Sequence, residues 1–427
     1  MKNNKKLIII ICVLVVILFS LFIYIKLIKD NNIIDVNIEA GDNTNFDFKV
    51  IKETNNLVKN QNYLISPLSI GYALSLLNEG ALGSTKTEID NLLNKYKLPN
   101  IINVKNRVGI ANLLFIKEDY KNDINTTYIK TLQDKYSSDV MFDAFNTPVK
   151  VNEWISEKTY NMIPNAIDDL SEDFVLGLAN TIAIDVEWQS KFKCNQTSSE
   201  EFTNQDGTKM NATMMHSSED ARYIESKNAK GIIKNYVMYN TKTGESTYEK
   251  SNDTIELEYI AILPNKDIND YLKTFDEKEF KKLLDSQNEL NKNIELRYAL
   301  PKYTYDFKYN DFQKMLENLG MKSAFDEKNA NFKKMLNQNS LLELYVGDTL
   351  HKTHIELSEN GTKASAVTAF MMYKNTSIGE QKKIIEIKFN KPFIYIIKDK
   401  NSDNIWFFGT VFEPMKLEDN TTTCDYN

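Results

Sequence analysis

Hydrophobic and polar positions alternate from His351 to Thr368 in a pattern that changes character halfway. Thr353, Ile355 and Leu357 alternate with Lys352, His354 and Glu356, the period of two expected of a β-strand. Glu359-Asn360-Gly361 follows, where a strand would normally turn and stop. The alternation then resumes with Thr362, Ala364, Ala366 and Thr368, all small, at every second position. On a strand those four share one face. Side chains of that size slide between two existing strands without overpacking the core beneath. Phe370 and Met372 extend the register with larger apolar groups. The segment suits two homes, a polar loop outside the fold and a strand inside its sheet.

The rest of the chain mixes both periods, which predicts a mixed α+β fold. Helical spacing occurs at Leu68–Leu77, Thr87–Leu93, Val151–Met162, Asp267–Leu284 and Asp311–Leu319. Strands are predicted at Arg107–Phe115, Val175–Val186, Ile232–Tyr239, Ile255–Leu263 and Ile294–Ala299. Four more follow at Glu343–Ser358, Ile384–Phe389, Phe393–Asp399 and Ile405–Phe412. The polar run NTKTGESTYEKSNDT between Tyr239 and Ile255 reads as a hairpin connection on the surface. With 427 residues, 42% hydrophobic and 26% charged, the chain can bury a large core. No linker, repeat or low-complexity tract interrupts residues 45–415, so these form one domain, and residues 416–427 are a loose tail.

Leu7 to Ile25 is different in kind: nineteen residues without a charge, rich in Ile, Leu and Val. As a helix it spans about 30 Å, the hydrocarbon thickness of a bilayer. Lys2, Lys5 and Lys6 precede it, and Asp30 and Asp35 soon dilute the lysines that follow, so the positive-inside bias places the body outside the cytoplasm. Residues 1–29 are accordingly expected to be a signal anchor, with residues 30–44 as a polar tether. If they are instead a cleaved signal peptide, the body is secreted, although no small-residue cleavage site follows Ile25.

Charge and candidate chemistry mostly exclude. A net charge of −7 with dispersed lysines argues against a nucleic-acid partner. The only histidines are His216, His351 and His354, a thin supply for a nucleophile triad. His351 and His354 stand three apart on an alternating segment, on opposite faces, and no CxxC, HExxH, GxGxxG or Walker loop exists; no metal or cofactor is expected. Cys194 and Cys424 can pair outside the cell, but two cysteines make no disulfide scaffold.

Several blocks carry a family resemblance. Leu64-Ile65-Ser66-Pro67-Leu68-Ser69-Ile70 is followed by Ala73-Leu74 and by Gly80-Ala81-Leu82-Gly83-Ser84-Thr85. Asn180-Thr181-Ile182 precedes Trp188 and Phe192, and Leu300-Pro301-Lys302 and Leu319-Gly320-Met321 with Phe325 come later. The C-terminal block is Lys388-Phe389-Asn390-Lys391-Pro392-Phe393, then Ile394–Ile397, Trp406-Phe407-Phe408-Gly409 and Pro414. Together with the segment after His351, these resemble the serpin family, in family order, from about residue 45 to 415. The resemblance implies the serpin fold: a large central β-sheet, smaller sheets, about eight to nine helices and an exposed reactive-centre loop.

It also implies a function, irreversible inhibition of a serine or cysteine protease by a monomer that is consumed once and is not an enzyme. The protease acylates itself on the loop. The freed hinge then inserts into the central sheet and carries the protease away, a known instance of switching by loop insertion. The implied hinge is Glu359, Gly361, Thr362, Ala364, Ala366 and Thr368. The implied sheet-opening cluster is Ser66, Ser69, Asn180, His351 and Trp188, with His351 as the family's buried histidine and Trp188 packed where the loop enters. Family spacing places the reactive bond at Asn375–Thr376, with Lys374 the neighbouring choice. The loop is about half a dozen residues longer than usual, which also admits Ile378-Gly379 and Lys382-Lys383. Cleavage after Lys374, Asn375 or Tyr373 would suit trypsin-like, asparagine-directed or chymotrypsin-like proteases respectively. Departures from the family are Lys363 for an acid, Asn360 for a charged residue, Asn161 for glycine, and a lengthened connection after Tyr239. The alternative is a non-inhibitory serpin acting as a binding or chaperone-like module.

Overall fold

The computed structural model of the protein describes residues 44–99, 103–218, 221–290, 294–362, 383–402 and 404–414. Residues 7–25, the loop positions Ala364 to Thr376 and Cys424 therefore lie outside the described residues. Among the described residues no helix is long and apolar enough to cross a membrane. Cys194 is disulfide-bonded; the chain's other two cysteines, Cys12 and Cys424, lie outside the described residues.

A six-stranded sheet runs Tyr63–Ile65, Ile405–Val411, Phe393–Asp399, Leu257–Pro264, Ala229–Asn235 and Ala221–Glu225, all antiparallel. Its central strands read as unbroken apolar runs because both faces are covered. Ile260, Ile262, Ile394 and Ile396 join the core cluster that holds most helices. Tyr259, Ala261, Tyr395 and Ile397 point the other way into a second cluster beneath the remaining sheets. A four-stranded sheet orders Lys383–Lys388, Ile294–Pro301, Lys209–Ser217 and Thr197–Thr203, with Lys383–Lys388 parallel to its neighbour.

The sheet that matters most comes in two leaves. One is Asp139–Asp143, Val108–Lys117 and Leu176–Ile184; the other is Val186–Glu187, Gly361–Thr362, Lys352–Leu357 and Tyr303–Lys308. Chain continuity through Asp185 joins them. Eight α-helices are present among the described residues, and the architecture is the mixed α+β arrangement expected.

Three local expectations are corrected. Asp267–Leu284 is two helices, Ile268–Thr274 and Glu277–Leu290. Phe275 is buried between them, and Asp276 caps the second by accepting from Glu279 N at 2.9 Å. The long strand Glu343–Ser358 is real only from Lys352. Before it, Leu342, Leu344 and Val346 alternate inward onto the core, but among the described residues no neighbouring strand pairs with them. Period two thus records burial of one side without a paired strand, Val346 N donating instead to Ala324 O at 2.8 Å. Asn161, expected to be awkward in place of glycine, adopts φ +62°, a conformation asparagine tolerates better than most residues.

Candidate functional site

The hinge begins as predicted by alternation. Thr353, Ile355 and Leu357 are buried, and their strand pairs with Tyr303–Lys308 from Leu357↔Tyr303 to Lys352↔Lys308. Ser358–Asn360 then reverses the chain, closed by Ser358 N donating to Gly361 O at 3.0 Å. Gly361 and Thr362 return as a short strand: Thr362 faces Leu357 on one side, while Gly361 and Thr362 face Glu187 and Val186 on the other. Gly361 is required here. Its φ is +156°, and a Cβ would stand 2.1 Å from Val186 O and 2.8 Å from Glu187 Cα, both backbone atoms that cannot yield.

The segment after Glu187 grips this turn. Trp188 N donates to Asn360 O (2.9 Å), Phe192 N to Glu359 O (3.0 Å) and Trp188 Nε1 to Ser358 O (3.0 Å). Trp188 stacks flat on Tyr236, centroids 4.5 Å apart and planes 6° from parallel. The Tyr236 hydroxyl stands 2.6 Å from Thr362 Oγ1, and burial pushes that phenol well above its usual range. The Glu359 carboxylate, almost buried, meets Lys302 Nζ at 2.9 Å. Behind Trp188 lies a fully buried cation: Lys234 Nζ is 4.9 Å from the Phe192 ring centroid and donates to Tyr298 OH at 3.0 Å. Tyr236 and Lys234 carried no signal in the sequence, and Lys302 entered only as part of the Leu300-Pro301-Lys302 block, without a role at the hinge. Lys234 and Tyr236 lie at the end of strand Ala229–Asn235 and just past it, and Lys302 lies between strands Ile294–Pro301 and Tyr303–Lys308, so no local pattern links them to the hinge.

Below Thr362 the two leaves part. Among the described residues Leu176–Ile184 pairs only with Val108–Lys117, and nothing pairs with the open edge of residues 352–356. Ile182, Ile184, His354, Ile355 and Glu356 line the cleft between them, with Met162 and Ile163 from the segment after helix Val149–Lys158. Its free space is about 30 Å³, enough for one water. A strand needs about 4.8 Å of lateral spacing, so a strand placed here must first push the leaves apart.

At the far end of the cleft a buried polar cluster bridges the same two strands. Ser66 caps helix Pro67–Gly80, accepting from Ser69 N at 3.1 Å, with Pro67 at the first helical position. Ser69 Oγ donates to Asn180 Oδ1 at 2.5 Å, and Asn180 Nδ2 donates to Asn112 Oδ1 at 2.9 Å. On the other side Ser66 N donates to His351 Nε2 at 3.1 Å, so that nitrogen carries no proton. His351 stacks on Phe312, and burial lowers its pKa to about 4. One helix start therefore holds Asn180, on the strand at one side of the cleft, and His351, at the start of the strand on the other.

Four of the five cluster residues come together. Trp188 does not join them: it lies eight residues along the strand from Asn180, roughly 26 Å at about 3.3 Å per residue, and serves the hinge instead. Glu359, Gly361 and Thr362 form the hinge as described. Ala364, Ala366, Thr368, Lys374, Asn375 and Thr376 lie outside the described residues.

The histidines assemble no nucleophile triad. His216 Nε2 is the nitrogen that faces both Glu200 Oε1 (2.5 Å) and Ser198 Oγ (3.5 Å), whereas a triad needs one ring nitrogen for each partner. His354 Nδ1 meets Asp306 at 2.9 Å on the outer face of the sheet.

A family model described as serpin (serine protease inhibitor) matches residues 41–414. The chain belongs to the serpin family. Among solved structures, the thermophilic serpin tengpin in its native state aligns at TM-score 0.71 and 30% identity, covering 89% of this chain and 95% of that one. Its latent state aligns at 0.65 and 27%, covering 88% and 97%. The leukocyte elastase inhibitor of Xenopus tropicalis is 26% identical over 397 residues, 87% of this serpin and 98% of the relative. A thyroxine-binding globulin complex with thyroxine shares the fold at TM-score 0.69 and 22% identity, covering 88% of this serpin and 100% of that chain. Family members are mostly inhibitors of proteases, so a protease is the expected kind of partner.

Proposed function

We propose that this serpin is a single-use inhibitor of an extracytoplasmic serine or cysteine protease, held at a membrane through residues 7–25. The observation that carries the reading is the hinge. Gly361–Thr362 already stands as a strand between Val186–Glu187 and Leu357, directly above a cleft that the leaves leave unpaired. In sequence the same face continues as Ala364, Ala366 and Thr368, small enough to extend that strand downward. Lys363, Ser365 and Val367 alternate to the opposite face.

The protease attacks the reactive bond, Asn375–Thr376 or the bond after Lys374, and is left as an acyl-enzyme on the new carbonyl end. The peptide C-terminal to the bond departs with its new amine. The freed segment then inserts, and about fourteen residues at about 3.3 Å each carry the protease roughly 45 Å. Its catalytic groups lose register with the ester, and deacylation stalls. The energy comes from a native state held kinetically above a more stable one. The serpin is spent in the process and turns nothing over.

The test is incubation of the full chain, in detergent, with trypsin-like, chymotrypsin-like, subtilisin-like and asparagine-directed proteases, followed by denaturing gels and mass spectrometry. A denaturant-stable complex with a released C-terminal peptide supports inhibition and locates the bond. Clean cleavage by all of them, with no complex, counts for a non-inhibitory binding module. Retention of the uncut chain in the membrane fraction, lost on deleting residues 1–29, tests the anchor separately.

A further inference from the structure

We propose that this serpin carries a binding site for a tetrahedral dianion, an inorganic phosphate or sulfate or the same group on an ester, in the pocket formed by Lys230, Lys391 and Asn390. The pocket measures about 450 Å³. Three separate pieces of chain build it: Lys230 from strand Ala229–Asn235, Leu263 to Asn265 from the end of strand Leu257–Pro264, and residues 386–391 after the loop.

The charges around it do not balance. Glu386, on the rim, lies 3.7 Å from Arg297. Lys388 is 3.2 Å from Glu200, whose carboxylate also receives Ser198 and His216. Those charges are accounted for. Lys230 and Lys391, both half-buried, form no ion pair with any carboxylate among the described residues. Both line the same pocket; burial first, and then the charge of Lys230, push the Lys391 ammonium below its usual range. Glu225 is the register partner of Lys230 on strand Ala221–Glu225, yet the two form no ion pair. Like charges so placed repel unless an anion sits between them.

The donor set fits two negative charges on one small group. Two ammonium groups supply the charge, in the point-charge manner by which lysine binds phosphate. The Asn390 side-chain amide makes no hydrogen bond among the described residues, and Asn265, its amide already donated to Lys227 O, closes the wall. A monocarboxylate would leave one charge unmatched. Lys391 follows the strand that leads away from the reactive loop, whereas Lys230 belongs to the six-stranded sheet. A dianion between them ties the loop's C-terminal root to that sheet, a role that does not depend on protease inhibition.

The test is calorimetric titration of the full chain in detergent with inorganic phosphate, inorganic sulfate and glucosamine 6-sulfate, at ionic strength held constant with chloride, and with glucosamine as the blank. Saturable binding of one phosphate or sulfate group per chain is expected. It should weaken at least tenfold in Lys230→Gln and, independently, in Lys391→Gln, and stay unchanged in Lys86→Gln. Tighter binding of the sulfated sugar than of sulfate would assign the site to an ester, the reverse order to the free ion. Absence of saturable binding at millimolar concentrations, or binding that survives both substitutions in folded protein, overturns the proposal.

Discussion

The hydroxyls of Thr362 and Tyr236 stand 2.6 Å apart, and Thr362, the first small residue of the hinge face, is only 2% exposed. The loop's first inward position is therefore already inside the sheet, hydrogen-bonded to a ring that Trp188 holds flat. Thr362→Arg places a cation in that space with no carboxylate partner, a large cost for a buried group. The expected outcome is a serpin cut as a plain substrate, with stable complex reduced at least tenfold on a denaturing gel. Complex formation at the wild-type level would remove the hinge from the mechanism.

Gly361→Ala is expected to be nearly as damaging for a different reason. Its Cβ meets backbone on the neighbouring strand at 2.1 Å, at a φ of +156° that other residues rarely adopt. Strand pairing with Val186–Glu187 should be lost, lowering stability by about 2 kcal/mol or more. Amide exchange at Thr362 and Trp188 should rise, and unchanged protection there would contradict the account of the turn.

His351 makes stability depend on pH in a predictable direction. Its pKa falls from 6.5 to about 4 in the folded chain because burial disfavours the charged ring. Between those values the unfolded chain binds the proton and the folded chain does not, so stability is intact above pH 6.5 and drains as pH falls toward 4. The shift corresponds to about 3 kcal/mol at most. Denaturant unfolding of wild type and His351→Asn at pH 7 and pH 4.5 checks it: the gap between the two proteins should narrow at the lower pH.

Asn180→Ala removes the link from Ser69 to Asn112, the bonds that fasten one strand of the cleft to helix Pro67–Gly80. Thermal unfolding should begin several degrees lower, reflecting about 1–3 kcal/mol of lost buried bonding. The uncut protein should also lose inhibitory capacity on standing faster than wild type, because the leaves part more easily. Equal rates would mean that this cluster does not restrain opening.

Much of this was legible in the chain because it rests on short-range periodicity. Thr353, Ile355 and Leu357 face inward as their spacing requires, and the apolar runs of Phe393–Asp399 and Ile405–Val411 lie in a sheet buried on both faces. The Ser66, Ser69, Asn180 and His351 grouping follows from the family resemblance and not from spacing, since those residues meet across 285 positions of chain. Strands Thr197–Thr203 and Lys209–Ser217 were missed because their burial alternates only in part, and helix Thr44–Leu57, despite Asp47 in its first turn, because its start merges with the polar run of residues 30–44. The break before Glu277 did have a signal: Asp276 and Glu279 have capping-box spacing, overlooked within a longer apolar period. Lys302 stood within the Leu300-Pro301-Lys302 block without its ion pair being foreseeable, and Tyr236 had no signal, because a partner 126 positions away leaves no mark on local sequence.

The claim at the centre of this account is that the loop, once cut, becomes a strand between Leu176–Ile184 and Lys352–Leu357. Hydrogen exchange read by mass spectrometry, on the full chain before and after a single cleavage within residues 363–382, tests it without knowledge of the natural protease. Among the described residues, both strands present an unpaired edge to the cleft in the uncut protein. Amides of residues 178–184 and 352–356 should slow by at least tenfold after cleavage, together with a higher unfolding temperature. Exchange that stays the same or accelerates, in protein cut cleanly within that segment, would contradict insertion.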